Sequence, residues 1–380
     1  MKKILSLITA ICIMLMTSVT AFAAEVPSSE KVKAQIDGAA AYITKDVQSY
    51  GVDQALDFCM IADSGADVSK YKDGFIKDVK SNLDANKGKI VSAYGENLTT
   101  YGAVIIALTA LDEDVSDFYG YDIGKAFLAM DPTAEPVSLN YYRIITQGAF
   151  YCENSDEFLT KVCDTYIANH YTMGKGVDYY GYSCDNTAYF IDAISYGYYA
   201  TDKYEDILKD AMAVLDTYKV DGGYCFNPEY GKEPNADSTA LALMAHSGYV
   251  ADPEHLDKHF ETVNGIYADL CKFEGSGTGI FTYDGDDSIY TTKEALIALS
   301  YYYWDVIFQE IPDDEPPTDD GETTTAVTSE PTTAKPKTTV SAANTSKKSP
   351  ATGSNTAAVS AAAAFIAATG MLAVLKKKEK

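Results

Sequence analysis

Along this chain, helices that are apolar on nearly every side alternate with helices that are apolar on one side only. A helix that is apolar all round must be buried all round, whereas an amphipathic helix covers a core with one face. The one-sided pattern is clear in 204–218, where Ile207, Leu208 and Ala211 recur at helical spacing opposite charged residues. The all-round pattern occurs in segments 101–111, 187–199, 239–246 and 294–304. The sequence therefore predicts an inner and an outer layer of helices.

The inner helices share an opening signature, in which Asn, Asp, Ser or Thr precedes small apolar residues, as in the Asp-Asn-Thr-Ala of 185–188. Such polar side chains cap the free N–H groups of a first helical turn. Openings near residues 52, 100, 140, 187, 239 and 292 are about 40 to 53 residues apart, which indicates an array of helical hairpins. With 30–46 as the partner of the first inner helix, twelve helices in six hairpins are expected. The predicted fold of residues 24–310 is an all-α, (α/α)6 toroid.

The N-terminus has the composition of a secretory signal. Residues 1–3 are Met-Lys-Lys, residues 4–19 are apolar, and the Ala-Phe-Ala of 21–23 is a small-residue cleavage site. We therefore expect residues 1–23 to be a signal peptide and the toroid to be exported.

The composition changes sharply after the predicted toroid. Residues 311–348 are rich in Pro, Thr, Ser and charged residues and contain almost no large apolar side chain. A segment of this kind cannot bury enough apolar surface to fold, so a disordered linker is expected here.

Residues 349–380 have the three parts of a sorting signal in the usual order. A five-residue motif precedes an apolar run, 357–375, which is long enough to cross a bilayer as a helix, and a basic tail follows. This order resembles a sortase signal, with Ser in place of the Leu of Leu-Pro-x-Thr-Gly. The resemblance implies cleavage by a sortase, attachment to peptidoglycan and display on the cell wall of a Gram-positive bacterium. The alternative is a plain membrane anchor. The motif residues are Ser349, Pro350, Ala351, Thr352 and Gly353.

The composition also narrows the possible partners and cofactors. A formal net charge of −25 argues against a nucleic-acid partner, because binding to phosphates depends on clustered Lys and Arg. The cysteines show no metal-site spacing, so neither a metal nor a cofactor is expected. The six cysteines that remain after signal removal are expected to be small buried hydrophobes. They are Cys59, Cys152, Cys163, Cys184, Cys225 and Cys271.

A Gly-Gly-Tyr turn at 222–224 precedes an inner helix that opens with Asp-Ser-Thr-Ala at 237–240. The Gly-rich segment 277–281, before the last helix, is a second copy of this turn. This arrangement resembles the toroids of terpenoid cyclases and protein prenyltransferases, in which a Gly-Gly-aromatic turn precedes a buried helix. The resemblance covers most of 55–304 and implies the toroid fold. It does not by itself imply an activity.

Two catalytic motifs of that superfamily have partial matches. The Asp-Gly-Asp-Asp of 284–287 has the letters of the Asp-x-Asp-Asp with which class II cyclases protonate their substrate. It departs from the cyclase pattern because three residues separate it from the helix and Trp304 is the only tryptophan. The prenyltransferase zinc ligands are incomplete, because no His follows the Asp-Leu-Cys of 269–271. The candidate catalytic residues are Asp284, Asp286 and Asp287.

The loops that enter the inner helices carry many tyrosines and carboxylates. Such loops converge at one end of a helical ring, and a concave surface with a few polar groups is a common ligand site. Tyrosine supplies a large contact area and a hydroxyl for hydrogen bonds. The alternative is that these tyrosines only fill the centre of the ring. The predicted ligand-binding residues are Tyr180, Asp185, Tyr224, Asp237, Tyr283 and Tyr290.

Three functions are consistent with these observations. The first, which we favour because no complete catalytic set is present, is a non-catalytic toroid displayed at the cell wall to bind a polysaccharide or protein. The second is an extracellular carbohydrate-active enzyme, which would pair Asp284 or Asp286 with Asp185 or Asp237. The third is a divergent terpene cyclase with Asp286 as its acid.

Overall fold

The computed structural model of the chain describes residues 26–250 and 253–307, and these contain twelve α-helices. The predicted signal peptide, linker and sorting signal lie outside the described residues. Six inner helices are buried along most of their length: α2 (Ala55–Asp63), α4 (Leu98–Ala110), α6 (Tyr142–Phe150), α8 (Cys184–Thr201), α10 (Ala236–Val250) and α12 (Ile289–Tyr301). Six outer helices alternate with them: α1 (Ser29–Thr44), α3 (Ser69–Ala85), α5 (Ile123–Leu128), α7 (Asp156–His170), α9 (Glu205–Asp216) and α11 (Pro253–Leu270).

The inner helices form a closed ring. Each packs against the next inner helix along the chain, and α12 packs back against α1 and α2. This closure confirms the all-α, (α/α)6 toroid, with a hydrophobic core that is continuous within the ring. The inner helices begin at residues 55, 98, 142, 184, 236 and 289, within three residues of the predicted positions. Among the described helices, none is both long enough and apolar enough to cross a membrane.

Polar side chains cap four of the six inner helices, as the opening signature predicts, whereas α2 and α6 have no side-chain cap. Asn97 Oδ1 accepts a hydrogen bond from the backbone N–H three residues later at 2.9 Å, and Ser183 Oγ accepts the equivalent bond at 3.1 Å. Asn235 and Ser288 cap α10 and α12 in the same way. Because one such cap contributes about 1 kcal/mol, the signature favours the observed start of each of these four helices.

Three short antiparallel hairpins precede inner helices, which the sequence pattern does not predict. Each strand has two residues, too few to show a period-two alternation. The pairs are β1 (Tyr171–Thr172) with β2 (Gly176–Val177), β3 (Lys219–Val220) with β4 (Gly223–Tyr224), and β5 (Thr282–Tyr283) with β6 (Asp286–Asp287). The hairpins place the loops before α8, α10 and α12 at one end of the ring.

A threonine in the fourth position of α10 and of α12 holds the preceding hairpin. Thr239 Oγ1 accepts a hydrogen bond from Tyr224 N at 3.0 Å, and Thr292 Oγ1 accepts one from Phe281 N at 3.0 Å. A Cβ at Gly223, whose φ is +147°, would lie 2.6 Å from Thr239 Oγ1, so only glycine fits there. The Gly-Gly-Tyr motif at 222–224 and the Asp-Ser-Thr-Ala motif at 237–240 therefore pack against each other through Thr239.

The cysteines contribute to packing, as the composition predicts. All six in the described part of the chain are free thiols, five of them are buried, and Cys271 is partly exposed. Burial raises the pKa of Cys59 to about 12, which keeps this thiol protonated and unreactive.

Candidate functional site

Three carboxylates lie near one another at the mouth, which we define as the end of the ring where the inner helices begin. Asp185 and Asp237 are the second residues of α8 and α10, and Glu294 is the sixth residue of α12. Ser238 Oγ donates a hydrogen bond to Asp185 Oδ1 at 2.7 Å, and Tyr189 OH donates one to Glu294 Oε1 at 3.1 Å. These two contacts join α8 to α10 and α8 to α12.

Burial and mutual repulsion weaken these acids. Burial, followed by the charges of Asp237 and Asp185, raises the pKa of Glu294 to about 8. Burial raises the pKa of Asp185 to about 6, although the hydrogen bond from Ser238 opposes this shift. Burial also raises the pKa of Asp237, whose Oδ1 atom has no hydrogen-bond partner in the described structure. At neutral pH, Glu294 is therefore mostly protonated and Asp185 mostly ionised.

A cavity of about 410 Å³ opens beside the carboxylates. Its volume lies in the usual range for small-molecule sites. The wall combines acidic with aromatic side chains, among them Asp185, Asp237, Asp284, Phe226, Phe273 and Tyr283. Four residues that the sequence singles out, Asp185, Asp237, Tyr283 and Asp284, are thus brought together here.

The Asp-rich loop that resembles a cyclase motif lies at the surface. Asp286 and Asp287 form the exposed strand β6, and Asp287 Oδ1 accepts a hydrogen bond from Ser276 N at 3.0 Å. Asp284 is exposed at the turn of the hairpin, where its φ is +51°. Of the three candidate catalytic residues, only Asp284 reaches the cavity wall.

Tyr224 lies between the inner and outer layers of helices and does not line the cavity. It is fully buried, and its hydroxyl lies 3.2 Å from Asp216 Oδ1 and 3.2 Å from His246 Nε2. Its side chain therefore joins the outer helix α9 to the inner helix α10.

Exposed aromatic side chains lie on the loops that precede α8 and α10 and at the start of α12. Tyr180 is 95% exposed, Tyr290 is 78% exposed and Tyr230 is 76% exposed. A Cβ at Gly181 would lie 3.8 Å from the Tyr230 hydroxyl, so the loops before α8 and α10 lie side by side. We call Tyr180, Phe226, Tyr230, Tyr283 and Tyr290 the aromatic rim. Grouped exposed aromatics of this kind are typical of binding surfaces.

Positive charge is scarce at the mouth. Lys293, which precedes Glu294, is paired with Asp57 at 2.6 Å. Arg143 is the only arginine in the chain, and it is buried in an ion pair with Asp192 at 3.0 Å. Within the described ranges, no Lys, Arg or His forms an ion pair with Asp185, Asp237 or Glu294, and no group of acidic, His and Cys side chains is placed to hold a metal ion.

At the opposite end of the ring, polar side chains line a smaller cavity of about 130 Å³. Asp63 in its wall accepts a hydrogen bond from Gln147 Nε2 at 2.6 Å, and the hydroxyls of Tyr196 and Tyr301 lie 2.6 Å apart. Burial, followed by the charges of Asp192 and Asp63, raises the pKa of Asp305 to about 8. Polar groups thus line both ends of the ring axis, and tyrosines fill part of its centre.

Glu294 and Tyr189 are functional candidates that the loop signature does not single out, because each lies at least one turn inside an inner helix. The only signal in the sequence is the charged residue itself. Glu294 stands at the start of the apolar run Ala-Leu-Ile-Ala-Leu, where a carboxylate is costly to bury.

No protein-family model matches this sequence, and no curated protein matches it. A solved structure of a polysaccharide lyase aligns with a TM-score of 0.53 at 10% identity, over 72% of this chain and 97% of that chain. At this level of identity the likeness concerns the fold, and it agrees with the toroid that the helices form.

Proposed function

We propose that the mouth binds and hydrolyses a glycan, with Glu294 as the proton donor and Asp185 or Asp237 as the base. The observation that carries this proposal is a set of three carboxylates that share one end of the ring, have no cationic partner and differ in proton affinity. Perturbed acids in a concave site are typical of catalytic centres.

Hydrolysis of a glycosidic bond needs one carboxyl group that is protonated and one that is ionised. Glu294 suits the first role, because it stays protonated at neutral pH, and the Tyr189 hydroxyl fixes its orientation. Asp185 suits the second role, because Ser238 holds it at the cavity wall as a carboxylate. Glu294 would give its proton to the glycosidic oxygen, and the carboxylate would take a proton from the attacking water.

Hydrolysis fits this site better than elimination, although the structural neighbour is a polysaccharide lyase. Elimination removes a proton next to the carboxylate of a uronic acid and places negative charge on the substrate. Stabilising that charge requires cations or strong donors. The mouth is acidic instead, and Lys293, which precedes Glu294, is paired with Asp57.

A glycan-binding module without turnover is the second candidate. The aromatic rim favours it, because Phe226 and Tyr283 are exposed in the cavity wall, where their ring faces can stack on sugar rings. The rim would serve an enzyme and a binding module equally. Turnover is therefore the property that separates the two functions.

We further propose that the toroid acts outside the cell. Support comes from the N-terminal segment 1–23, which resembles a secretory signal, and from 349–380, which resembles a sortase signal. A cell-wall protein of this kind would meet extracellular polysaccharides and peptidoglycan. The likeness to prenyltransferase and cyclase toroids would then reflect a shared helical repeat, supported by the contact between Gly223 and Thr239.

The test is a screen of the segment 24–310 against neutral, amino-bearing and uronate polysaccharides, in which binding and new reducing ends are measured together. Hydrolysis that is lost in Glu294→Gln and in Asp185→Asn, while glycan binding remains, would support the enzyme. Glu157→Gln, which changes an exposed glutamate on α7, is the matched control and should keep full activity. Binding without turnover would favour the binding module, and no binding to any glycan would contradict both.

A further inference from the structure

We infer that the glycan taken up at the mouth carries free amino groups, as in a de-N-acetylated polysaccharide of glucosamine type. This inference rests on the proposed function, since it names the substrate class of the same site. It starts from the charges that the cavity presents to a bound sugar.

The cavity wall carries negative charge that no protein group neutralises. Asp185, Asp237 and Asp284 all line it, and Glu294 lies beside them. The Oδ1 atom of Asp237 is buried and has no hydrogen-bond partner among the residues that the structure describes. Thr291, the hydrogen-bond partner of this carboxylate, is neutral, so a ligand that brings positive charge into the cavity beside Asp237 offsets the cost of burying the carboxylate and gains affinity.

An ammonium group meets this need better than a hydroxyl. It brings three donors and a positive charge, and charge-assisted hydrogen bonds are roughly twice as strong as neutral ones. An ammonium near the aromatic rim also gains from the faces of Tyr283 and Phe226. A neutral sugar can fill the same cavity, but it leaves the carboxylates uncompensated.

The negative charge of the cavity wall also disfavours binding of anionic glycans. The usual partner of carboxylate and sulfate groups is arginine, and the only arginine of this chain is Arg143, buried against Asp192. The N-terminal ends of α8 and α10 attract anions, but the chain's own Asp185 and Asp237 occupy those ends. A uronate would meet like charge at every wall that carries a titratable group.

Binding of an ammonium group should also change the number of protons that the carboxyl groups at the mouth hold. A positive charge beside Asp185 and Asp237, whose pKa values are raised by burial, favours their ionised forms, so binding of an amino sugar should release protons, whereas binding of a neutral sugar should not. Titration calorimetry in two buffers of different ionisation enthalpy measures this difference directly.

The probes are glucosamine hexamer, its fully N-acetylated counterpart and an oligogalacturonate of the same length. They are titrated at low salt into the segment 24–310, which contains the whole closed ring. We expect the glucosamine hexamer to bind at least about tenfold more tightly than the N-acetylated hexamer, with proton release and a loss of affinity in high salt. We expect no measurable binding of the oligogalacturonate.

Asp237→Asn is the diagnostic variant, because it keeps the shape of the side chain and removes one charge from the cavity wall. It should lower affinity for the glucosamine hexamer about tenfold and affinity for the N-acetylated hexamer by a much smaller factor, while circular dichroism reports that the variant is folded. Glu157→Gln again serves as the control on a distant surface. Equal affinity of the two hexamers, or tighter binding of the uronate, would overturn the inference.

These outcomes separate the inference from the function on which it rests. If the wild-type chain hydrolyses neutral glycans with no preference for amino groups, the proposed function stands and the amino-sugar inference fails. If no glycan of any charge binds, both fail.

Discussion

Arg143 Nε lies 3.0 Å from Asp192 Oδ2 at the centre of the ring, and only 6% and 1% of the two side chains are exposed. The pair joins α6 to α8 across 49 residues of sequence. Because Arg143 is the only arginine in the chain, no other guanidinium offsets the buried charge of Asp192. The ion pair thus fixes two neighbouring inner helices to each other.

Arg143→Met is expected to lower the free energy of unfolding by about 3–5 kcal/mol, because it leaves the carboxylate of Asp192 buried and unpaired. The double variant Arg143→Met/Asp192→Leu should recover most of this loss, since it removes both charges. Lys161→Met, which breaks an exposed pair with Glu157, should cost less than about 1 kcal/mol. Urea unfolding of the four proteins measures these differences. A double variant as unstable as the single one would contradict the argument.

Two glycines allow α4 and α6 to cross closely. A Cβ at Gly102 would lie 2.5 Å from Ile144 O, and a Cβ at Gly148 would lie 2.5 Å from the Cα of Gly102. Gly102→Ala must push the two backbones apart, and we expect a loss of about 1–3 kcal/mol.

Gly74→Ala is the matched control for this crossing. Gly74 lies in the exposed part of α3, with no atom within 4 Å of the added Cβ. There the substitution should stabilise the helix by about 0.5–1 kcal/mol. The measurement is the Tm of Gly102→Ala and of Gly74→Ala by thermal unfolding. Equal shifts in Tm would mean that the α4–α6 crossing adapts without strain.

The ring could be predicted from the sequence because its determinants are local. Caps such as Asn97 and Ser183, and the apolar runs behind them, define each inner helix within one segment. The hairpins escaped prediction because strands of two residues carry no periodic signal. Their positions are set by long-range contacts such as that between Tyr224 N and Thr239 Oγ1.

The candidate site is harder to predict, because its groups come from three different helices. Asp185 and Asp237 stand at helix starts, where a loop signature points to them. Glu294 joins them only because the ring places α10 between α8 and α12, and the hydrogen bond from Tyr189 to Glu294 spans 105 residues. The Asp-rich motif at 284–287 matches cyclases in letters alone, since its hairpin turns Asp286 toward solvent.

The stability of the fold should depend on pH through Glu294. Glutamate in an unfolded chain has a pKa of about 4.3, whereas burial and nearby carboxylates raise the pKa of Glu294 to about 8 in the folded chain. Between these values the folded chain holds a proton that the unfolded chain has lost, so raising the pH favours unfolding. The contribution of Glu294 is fully present below pH 4.3 and is lost as the pH rises through 8.

Glu294→Gln should therefore stabilise the protein at pH 8.5 and have little effect at pH 4, because glutamine resembles the protonated acid. Glu157→Gln, at an exposed position, should not show this trend. Urea unfolding across the pH range measures both variants. A stabilisation by Glu294→Gln that is the same at both pH values would mean that Glu294 is ionised in the folded chain.

Tyr189 should set the alkaline limit of any hydrolysis at the mouth. Its hydroxyl donates to Glu294 Oε1 at 3.1 Å, and this hydrogen bond favours the ionised carboxylate, which lowers the pKa of Glu294 against the larger effect of burial. Activity should fall below pH 6, as Asp185 takes up a proton, and above pH 8, as Glu294 loses its proton.

In Tyr189→Phe the alkaline limit should move to higher pH, because the hydrogen-bond donor to Glu294 is gone, and kcat should fall because the carboxyl group of Glu294 is less well oriented. Tyr204→Phe, which removes a hydroxyl bonded to Asp164 on the outer layer, should leave the profile unchanged. The measurement is kcat against pH for the three proteins, and an alkaline limit that moves to lower pH in Tyr189→Phe would assign the proton donor to another residue.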